Sequence, residues 1–491
     1  MRNVARLSKS KFQKGLQCEK ALWFEVHEPE SADPISESTQ WIFDQGTEVG
    51  RLAQGLFPGG TEVWEDHRHT DDALATTARL LSEGVKTLYE PAFLFDGVLV
   101  RVDILVAAEG GQWDLFEVKS TGSLKPEHVS DVAVQTYVVE GSGLSVRRSN
   151  LVHLNTSYVY EGYGYDVDRL FTIEDVTAEA RAFMPSIHDR LERFRLMLAD
   201  PEPDLMIGTQ CHNPYECAFS GRCHAFLPSA HPITDIPRLS ENSLHALLDA
   251  GITCVLDVPE DFPLSGNQAE TVAVVKSGRP YVDADGLRGD LAKLEWPVYH
   301  LDFETAAAAL PLWVGTHPHE AVPFLYSLHI EKEDGSFTQR EYLSAAVDPH
   351  RDVAENLIVD LDTAGSITHY TSYEKRILDG LAAAFPDLAA GIAAIKVRMV
   401  DLEPIVKANT KHPDACGRTS IKAVLPAWCP DMSYSEFEIN DGLTASVRYQ
   451  KFVRHLVNQA AADKILADLW NYCAMDTLAM VRLLDALRAE I

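Results

Sequence analysis

A strand-like run that ends in two acids, residues 298–304, constrains the fold more than any other segment. Val298 to Leu301 reads as a strand, and Asp302 and Glu304 follow it with Phe303 between them. Because successive side chains of a strand point to opposite faces, both acids lie on the same face. Carboxylate oxygens are ligands that hard divalent cations prefer, so this segment predicts a metal site on a strand.

A second segment near the C-terminus can complete such a site. Tyr472 and Asp476 have the i, i+4 spacing that places two side chains on one face of a helix. Between the two segments, Glu374 follows the stretch 365–370, and Asp401 ends a short, mostly apolar run. Glu374 is the preferred further carboxylate and Asp401 is its rival. The alternative interpretation is a set of unrelated surface acids in an acidic chain.

Asp302 with Glu304, and Tyr472 with Asp476, resemble the first and third motifs of the tyrosine-bearing DEDD exonucleases of the RNase H-like superfamily. The resemblance implies that the carboxylates bind two Mg²⁺ or Mn²⁺ ions, which clamp the attacking and leaving oxygens of a phosphodiester. It also implies that Tyr472 orients the attacking water. Glu374 stands where the second motif usually has an aspartate.

A second group of charged residues is predicted on a hairpin. Residues 97–106 alternate between apolar and other positions, which is typical of a strand with one buried face, and Asp103 lies on the other face. After a Gly-Gly turn, the return strand Trp113–Lys119 places Glu117 and Lys119 together on one face. Cross-strand pairing then brings both residues near Asp103. Two acids and a lysine suit metal-assisted phosphodiester chemistry.

An Asp followed by Glu-x-Lys on adjacent strands resembles the PD-(D/E)XK nuclease superfamily, and the helix that carries Gln135 resembles its RecB-like branch. The resemblance implies that Asp103 and Glu117 are metal ligands and that Lys119 is the catalytic lysine. It implies that Gln135 supports the site or contacts substrate.

One position departs from the RecB-like pattern. Relatives often carry a histidine on an earlier helix, after Gly-x-x-x, whereas here the segment 46–50 ends in Gly50. The resemblance therefore leaves one metal ligand missing. Glu48 on the same helix is a candidate replacement, and a solvated surface glutamate is the alternative.

Four cysteines are separated into one early and three late positions: Cys18, Cys211, Cys217 and Cys223. Four thiolates suit an iron-sulfur cluster, and zinc accepts the same ligands. The arrangement resembles the iron-sulfur nucleases related to RecB, including CRISPR-associated exonucleases, in which a [4Fe-4S] cluster staples the termini of the domain. The late cysteines are spaced more widely here than in those relatives. Unligated buried cysteines are the alternative, and the remaining four cysteines are interpreted as packing residues.

The length of 491 residues exceeds a single typical core and favours about three units. We predict an α/β protein with a restriction-endonuclease-like PD-(D/E)XK domain at 1–228, a helical connector at 229–290 and an RNase H-like exonuclease domain at 291–491. The connector contains an amphipathic helix that ends near Gly251. This segment resembles a helix-hairpin-helix element, and a plain spacer is the alternative.

The charge balance limits how the chain can meet nucleic acid. With 43 basic and 73 acidic residues the formal net charge is -30, which argues against nonspecific coating of a polyanion. Contacts with DNA are therefore expected to be local, and a helicase, another protein partner or a multimer is expected to supply a basic track. The basic, polar N-terminus lacks the apolar core of a signal peptide, and no long apolar run is present, so we expect a cytoplasmic protein without a membrane partner.

Segments around Lys422 and Asp441 resemble a bacterial family that has the same two-nuclease architecture. Lys422 is interpreted as a phosphate contact or as a solvated helix residue. Together the resemblances imply a Mg²⁺- or Mn²⁺-dependent nuclease that acts on single-stranded DNA ends in repair, recombination or defence. The alternatives are an RNA-trimming exonuclease and a nucleic-acid-binding scaffold with decayed nuclease sites.

Overall fold

The computed structural model describes residues 6–66, 68–344, 348–434 and 437–491. The protein has a mixed α/β fold, as the sequence predicts, with several mixed sheets. Its contacts divide the chain into two compact units. Unit 1 comprises Met1–Ala225, Ala309–Leu312 and His317–His319, and unit 2 comprises Phe226–Ala308, Trp313–Thr316 and Glu320–Ile491.

Unit 1 contains a six-stranded sheet of order β2-β3-β6-β7-β8-β9 and a three-stranded sheet of order β1-β5-β4. Its strands are β1 (Leu7–Ser8), β2 (Thr61–Glu62), β3 (Thr87–Tyr89), β4 (Ala92–Phe95), β5 (Val98–Arg101), β6 (Ile104–Ala107), β7 (Trp113–Lys119), β8 (Val146–Leu154) and β9 (Phe171–Asp175). Its α-helices are α1 (Lys9–Gln17), α2 (Glu19–His27), α3 (Glu37–Ala53), α4 (Thr70–Ser82), α5 (Pro126–Gly141), α6 (Val167–Leu170), α7 (Thr177–Phe183), α8 (Ile187–Ala199) and α9 (Ser220–His224).

The predicted hairpin differs from the structure in one respect. The alternating segment is not one strand, because β5 pairs with β4 while β6 pairs with β3 and β7. Asp103 lies at the break, where the chain passes from the smaller sheet to the larger one. The antiparallel pair of Ile104 with Phe116 still brings Asp103 beside Glu117, and the Gly-Gly turn has positive φ at both glycines, as expected.

Unit 2 is built on a five-stranded sheet of order β13-β12-β11-β14-β15, in addition to the pair β10-β16. Its strands are β10 (Tyr281–Val282), β11 (Val298–Ala307), β12 (Ala321–Glu331), β13 (Phe337–Leu343), β14 (Ile367–His369), β15 (Met399–Asp401) and β16 (Thr410–Lys411). Its helices are α10 (Glu241–Asp249), α11 (Gly266–Ser277), α12 (Ala284–Leu291), α13 (Pro349–Asp360), α14 (Tyr373–Ala384), α15 (Ala389–Lys396), α16 (Leu402–Asn409), α17 (Ile421–Trp428), α18 (Gly442–Val453) and α19 (Gln459–Arg488).

The central strand of this sheet is β11, which is antiparallel to β12 and parallel to β14. Its inner residues, among them Leu301 and Phe303, join an apolar core with β12 and the helices α13, α14 and α15. The long helix α19 packs against β11 and β12. The strand predicted from residues 298–304 is therefore the middle of the sheet, and it extends three residues beyond Glu304.

The predicted connector belongs to the second compact unit. Its helix α10 begins at a Ser240 cap and is followed by Gly251 in the left-handed region, as the sequence pattern predicts. The apolar residues of α10 and α11 share a buried cluster with Cys416, and β10 pairs with β16. The connector segment therefore packs in one apolar cluster with a residue that lies more than a hundred positions later in the chain.

Across the described ranges, none of the helices combines the length and the apolar character needed to cross a membrane.

Candidate metal centres

The acidic centre of unit 2 is organised by β11. Asp302 and Glu304 stand two residues apart on this strand and share the face that α19 covers, and only 4% of Glu304 is exposed. A register shift follows directly after Glu304, where the pairing with β12 skips one residue. Such an irregularity in a central strand re-aims the side chains beside it, and it lies at the end of the acidic pair.

Helix α19 brings the predicted C-terminal residues to this pair. Tyr472 and Asp476 are both buried on the helix face that meets β11. Cys473, which the sequence pattern assigned to packing, lies in the same place: its Sγ is 3.7 Å from Asp302 Oδ2 and 3.9 Å from the Asp302 carbonyl oxygen. One ligand atom each of Asp302, Glu304 and Cys473 lies within 4.8 Å of the others.

The electrostatics of this centre favour a bound cation. Burial raises the pKa of the Asp302 carboxyl well above its ordinary value, and the charges of Asp476 and Glu304 raise it further. Burial likewise raises the pKa of Glu304 well above its ordinary value, with Asp476 as the strongest neighbouring charge. Burial raises the pKa of Asp476 to about 6, against the hydrogen bonds it accepts. A divalent cation would relieve this repulsion, so the donor set fits a metal ion.

The structure separates the two candidates for the second motif. Glu374 lies in the first turn of α14, is 3% exposed, and its charge acts on both Asp302 and Glu304. Asp401 instead caps α16: its Oδ1 accepts hydrogen bonds from the Thr371 and Glu403 amides, each at 3.0 Å. One oxygen of Asp401 is thus committed to the backbone, whereas the charge of Glu374 acts on the acidic pair.

Glu374 is also short of partners. Its Oε2 is buried and has no hydrogen-bond partner among the described residues. The Nδ1 of His369 lies 3.3 Å away but is engaged by the Thr371 carbonyl oxygen. The helix that carries Glu374 is fixed to β11 by a hydrogen bond of 2.6 Å between the hydroxyls of Tyr373 and Thr305. A buried carboxylate oxygen without a donor is costly unless a ligand satisfies it.

Two aromatic hydroxyls flank the carboxylates. Tyr472 accepts a hydrogen bond of 2.9 Å from Lys422 Nζ, which also donates to the Asn440 carbonyl oxygen at 2.7 Å. Burial, followed by the charge of Asp476, raises the pKa of the Tyr472 hydroxyl far above its ordinary value. Tyr434, which no sequence pattern indicated, donates to Asp476 Oδ1 at 2.6 Å. Lys422 therefore positions Tyr472, a role absent from both interpretations of its sequence context.

The centre in unit 1 is assembled around Glu117, which is 2% exposed. Lys119 Nζ donates to Glu117 Oε1 at 2.7 Å, and Gln135 Nε2 from α5 donates to Glu117 Oε2 at 2.7 Å. Asp103 Oδ2 accepts a hydrogen bond of 2.6 Å from the Val118 amide. All four residues predicted from the hairpin and the following helix therefore lie together.

Two further residues of this centre carry no sequence signal. Lys9 Nζ lies 2.8 Å from Glu117 Oε1 and 3.6 Å from Asp131 Oδ1, and Lys119 pairs with Asp131 as well. Burial alone would raise the pKa of Glu117, but the ammonium groups of Lys119 and Lys9 hold it well below its ordinary value. Burial and the Glu117 charge raise the pKa of Asp103 well above its ordinary value. Glu117 is thus neutralised by lysines, and Asp103 is not.

On α3, the described residues leave space beside Gly50, the position at which RecB-like relatives often carry a histidine. A Cβ added at Gly50 meets no heavy atom of the described residues within 4 Å, and α3 packs against β7. Glu48 is half-buried on the same helix. The structure therefore leaves room where the RecB-like pattern has a histidine.

The four predicted cysteine ligands line one cavity in unit 1: Cys18, Cys211, Cys217 and Cys223. Cys18 separates α1 from α2, and Cys223 lies in α9, so the cavity joins both ends of the domain sequence. Burial raises the pKa of the Cys223 thiol to about 11 and also raises that of Cys217. Four thiols around one cavity are a donor set that suits an iron-sulfur cluster or a metal ion.

The other cysteines differ among themselves. Cys416 is buried in the apolar cluster of the connector helices, and Cys429 is 4% exposed with its Sγ 3.4 Å from the Arg482 carbonyl oxygen. Both pack as the sequence pattern predicts. Cys254 is half-buried, and its Sγ lies 3.9 Å from the Ala230 carbonyl oxygen.

Fold and sites together define an α/β protein of two units with candidate metal centres in each. Residues 299–420 match the model of a family described as a domain of unknown function, DUF2779. This range contains Asp302, Glu304 and Glu374 and ends before α19. A solved structure described as "Crystal structure of SSO0001" is similar with a TM-score of 0.22 and 15% identity, over 46% of this chain and 89% of that one. The search of curated proteins gives no match.

Proposed function

We propose that this chain is a metal-dependent nuclease that hydrolyses phosphodiester bonds of DNA, with a 3′ to 5′ exonuclease site in unit 2. The observation that carries the proposal is the grouping of Asp302, Glu304, Glu374 and Asp476 beside Tyr472, with Asp302 half-buried and the other three buried. Four carboxylates whose charges act on one another are the kind of ligand set that two-metal phosphodiester hydrolysis needs.

We assign an RNase H-like fold to unit 2. In support, β11 is central, β12 and β13 continue the sheet on one side in antiparallel order, and β14 and β15 continue it on the other side in parallel order. The residues of the first motif lie on the central strand, and those of the third lie on the helix packed against it. This placement is compatible with the DEDD exonucleases that the sequence resembles.

Each residue of this centre has a distinct task in the proposed reaction. A divalent ion, when bound, polarises the phosphodiester and lowers the pKa of the attacking water. The carboxylates of Asp302, Glu304 and Asp476 hold the charge that retains the ion. The Tyr472 hydroxyl, fixed by Lys422, orients a water by hydrogen bonding, and its raised pKa keeps it a neutral phenol to well above neutral pH.

For unit 1 we propose a PD-(D/E)XK fold of the RecB-like branch. The antiparallel pair β6-β7, the parallel pair β7-β8 and the crossover helix α5 support this assignment. Asp103 and Glu117 would hold the metal ion. One observation favours a binding role instead: both oxygens of Glu117 are already hydrogen bonded, to two lysines and to Gln135. A cation must displace Lys9 from Glu117 before this centre can act as a nuclease.

The first expected result concerns the substrate. The purified full-length chain should shorten end-labelled single-stranded DNA from its 3′ end in Mg²⁺ or Mn²⁺, and EDTA should stop the reaction. A matched RNA oligonucleotide tested in parallel decides between the DNA nuclease and the RNA-trimming alternative, since an RNA-specific site must exploit the 2′-hydroxyl. Binding of both oligonucleotides without metal-dependent shortening would leave the scaffold alternative.

The second expected result concerns the cysteine cavity, for which we propose a [4Fe-4S] cluster with zinc as the alternative. Anaerobically purified protein should contain iron and acid-labile sulfide, and Cys18→Ser should lose most of both, because Cys18 is the one ligand from the N-terminal side. Cys254→Ser, which changes a half-buried cysteine outside the cavity, is the matched control. Zinc in place of iron, lost equally in Cys18→Ser, would replace the cluster by a structural zinc site.

A further inference from the structure

A thiol lies inside the acidic centre of unit 2. Cys473 is fully buried, and its Sγ approaches Asp302 Oδ2 to 3.7 Å. The ligand atoms of Asp302, Glu304 and Cys473 all lie within 4.8 Å of one another. Two rigid elements, β11 and α19, supply these three side chains, so their arrangement does not depend on a loop.

The distance between sulfur and oxygen, across which the thiol donates a hydrogen bond, also fits two ligands of one zinc-class ion. Around tetrahedral zinc, with Zn–S near 2.3 Å and Zn–O of 2.0–2.2 Å, a sulfur and an oxygen ligand stand about 3.6 Å apart. The separation of 3.7 Å between Cys473 Sγ and Asp302 Oδ2 is close to this value. Mg²⁺ prefers octahedral oxygen ligands and gains little from a thiolate, whereas Zn²⁺ and related ions bind thiolate strongly.

A second, independent feature points to a ligand at the same place. The Oε2 of Glu374 is buried without a hydrogen-bond partner among the described residues, and its charge acts on Asp302 and Glu304. A cation bound by Asp302, Glu304 and Cys473 would offset the cost of this buried oxygen through its charge. Glu374 therefore adds a negative charge near the three ligands.

We propose that Asp302, Glu304 and Cys473, near the charge of Glu374, form a site that prefers thiolate-accepting divalent ions of the zinc class over Mg²⁺. This inference rests on the proposed function and deepens it, because it names the class of ion that the exonuclease centre retains. Binding converts the Cys473 thiol to a thiolate, and the proton passes to the solvent as the metal–sulfur bond forms.

Titration of the full-length protein with Co²⁺ tests the site without DNA. Wild type should show a thiolate-to-cobalt charge-transfer band that exceeds that of Cys473→Ser, and the difference spectrum removes the contribution of the unit 1 cysteines. Zn²⁺ affinity at this site, measured by competition with Co²⁺, should fall at least tenfold in Cys473→Ser. Mg²⁺ affinity should change less than twofold. Cys429→Ser, the same change at a buried cysteine outside the centre, should keep the full band.

Two outcomes would overturn the inference. One is a band of equal intensity in wild type and Cys473→Ser. Circular dichroism of Cys473→Ser and of Cys473→Ala should confirm that both variants keep the fold. The other is a band that Cys473→Ser removes but Asp302→Asn retains, because the thiol would then bind metal away from the carboxylates. Loss of the additional absorption in both variants, relative to wild type, supports the site. Since no DNA is present, that result stands even if the protein fails to degrade DNA, in which case only the proposed function is wrong.

Discussion

Asp302→Asn combined with Glu304→Gln should abolish the 3′ to 5′ shortening of end-labelled single-stranded DNA, with a rate loss of roughly a thousandfold or more. Both changes keep the size of the side chain and remove the charge that retains a cation. The measurement is the rate of nucleotide release in Mg²⁺ and in Mn²⁺.

The same double substitution should stabilise the metal-free protein. Glu304 is buried and Asp302 is half-buried beside Asp476, and their raised pKa values mean that folding disfavours their charged forms. Neutral amides remove this cost, so the melting temperature in EDTA should rise, by about 2–4 °C for each kcal/mol gained. A loss of activity together with a higher melting temperature cannot be attributed to misfolding.

The control uses two acids on the surface of the same unit. Glu333→Gln and Asp285→Asn make the same chemical changes at exposed positions, and Asp285 is 98% exposed. This pair should leave both the rate and the melting temperature close to wild type. Full exonuclease activity in the Asp302→Asn, Glu304→Gln protein would rule out the proposed centre of unit 2.

Sequence patterns were enough to predict which side chains share a face where a single strand or helix determines the geometry. The alternation of a strand places Asp302 and Glu304 on one face, and the spacing of Tyr472 and Asp476 places them on one face of a helix. Such patterns could not decide whether Glu374 or Asp401 is the further carboxylate of the centre. Both acids follow short apolar strands, and only the hydrogen bonds from backbone amides to Asp401 separate a helix cap from a ligand.

The residues that the sequence did not indicate are those brought in from distant segments. Lys9 is 108 positions from Glu117, and Cys473 is 171 positions from Asp302, so no periodicity links either pair. Asp131 lies on the buried face of α5, where an acidic residue is unusual. The sequence does not indicate which residue it pairs with. The break between β5 and β6 was equally hidden, because the apolar alternation continues through it while the pairing partner changes.

Glu117→Gln should destabilise unit 1 by about 3–5 kcal/mol, the usual cost of removing one partner from a buried ion pair. The substitution leaves the ammonium groups of Lys9 and Lys119 with Asp131 as their remaining carboxylate in the ion-pair cluster. Hydrogen exchange measured by mass spectrometry should show faster exchange in peptides that cover β7 and α5. Peptides that cover β11 and α19 should be unchanged, because those elements belong to the other unit.

Asp114→Asn on the same strand provides the comparison, since Asp114 pairs with the half-exposed Arg147 and such a pair contributes about 0–1 kcal/mol. Adding Lys9→Met to Glu117→Gln should recover part of the lost protection, because one uncompensated charge is then removed. If Glu117→Gln exchanges no faster than Asp114→Asn, the ionic cluster does not stabilise the unit.

In wild type, a cation that enters at Glu117 must compete with Lys9. Lys9→Met alone should therefore both loosen the unit and strengthen metal binding at Glu117.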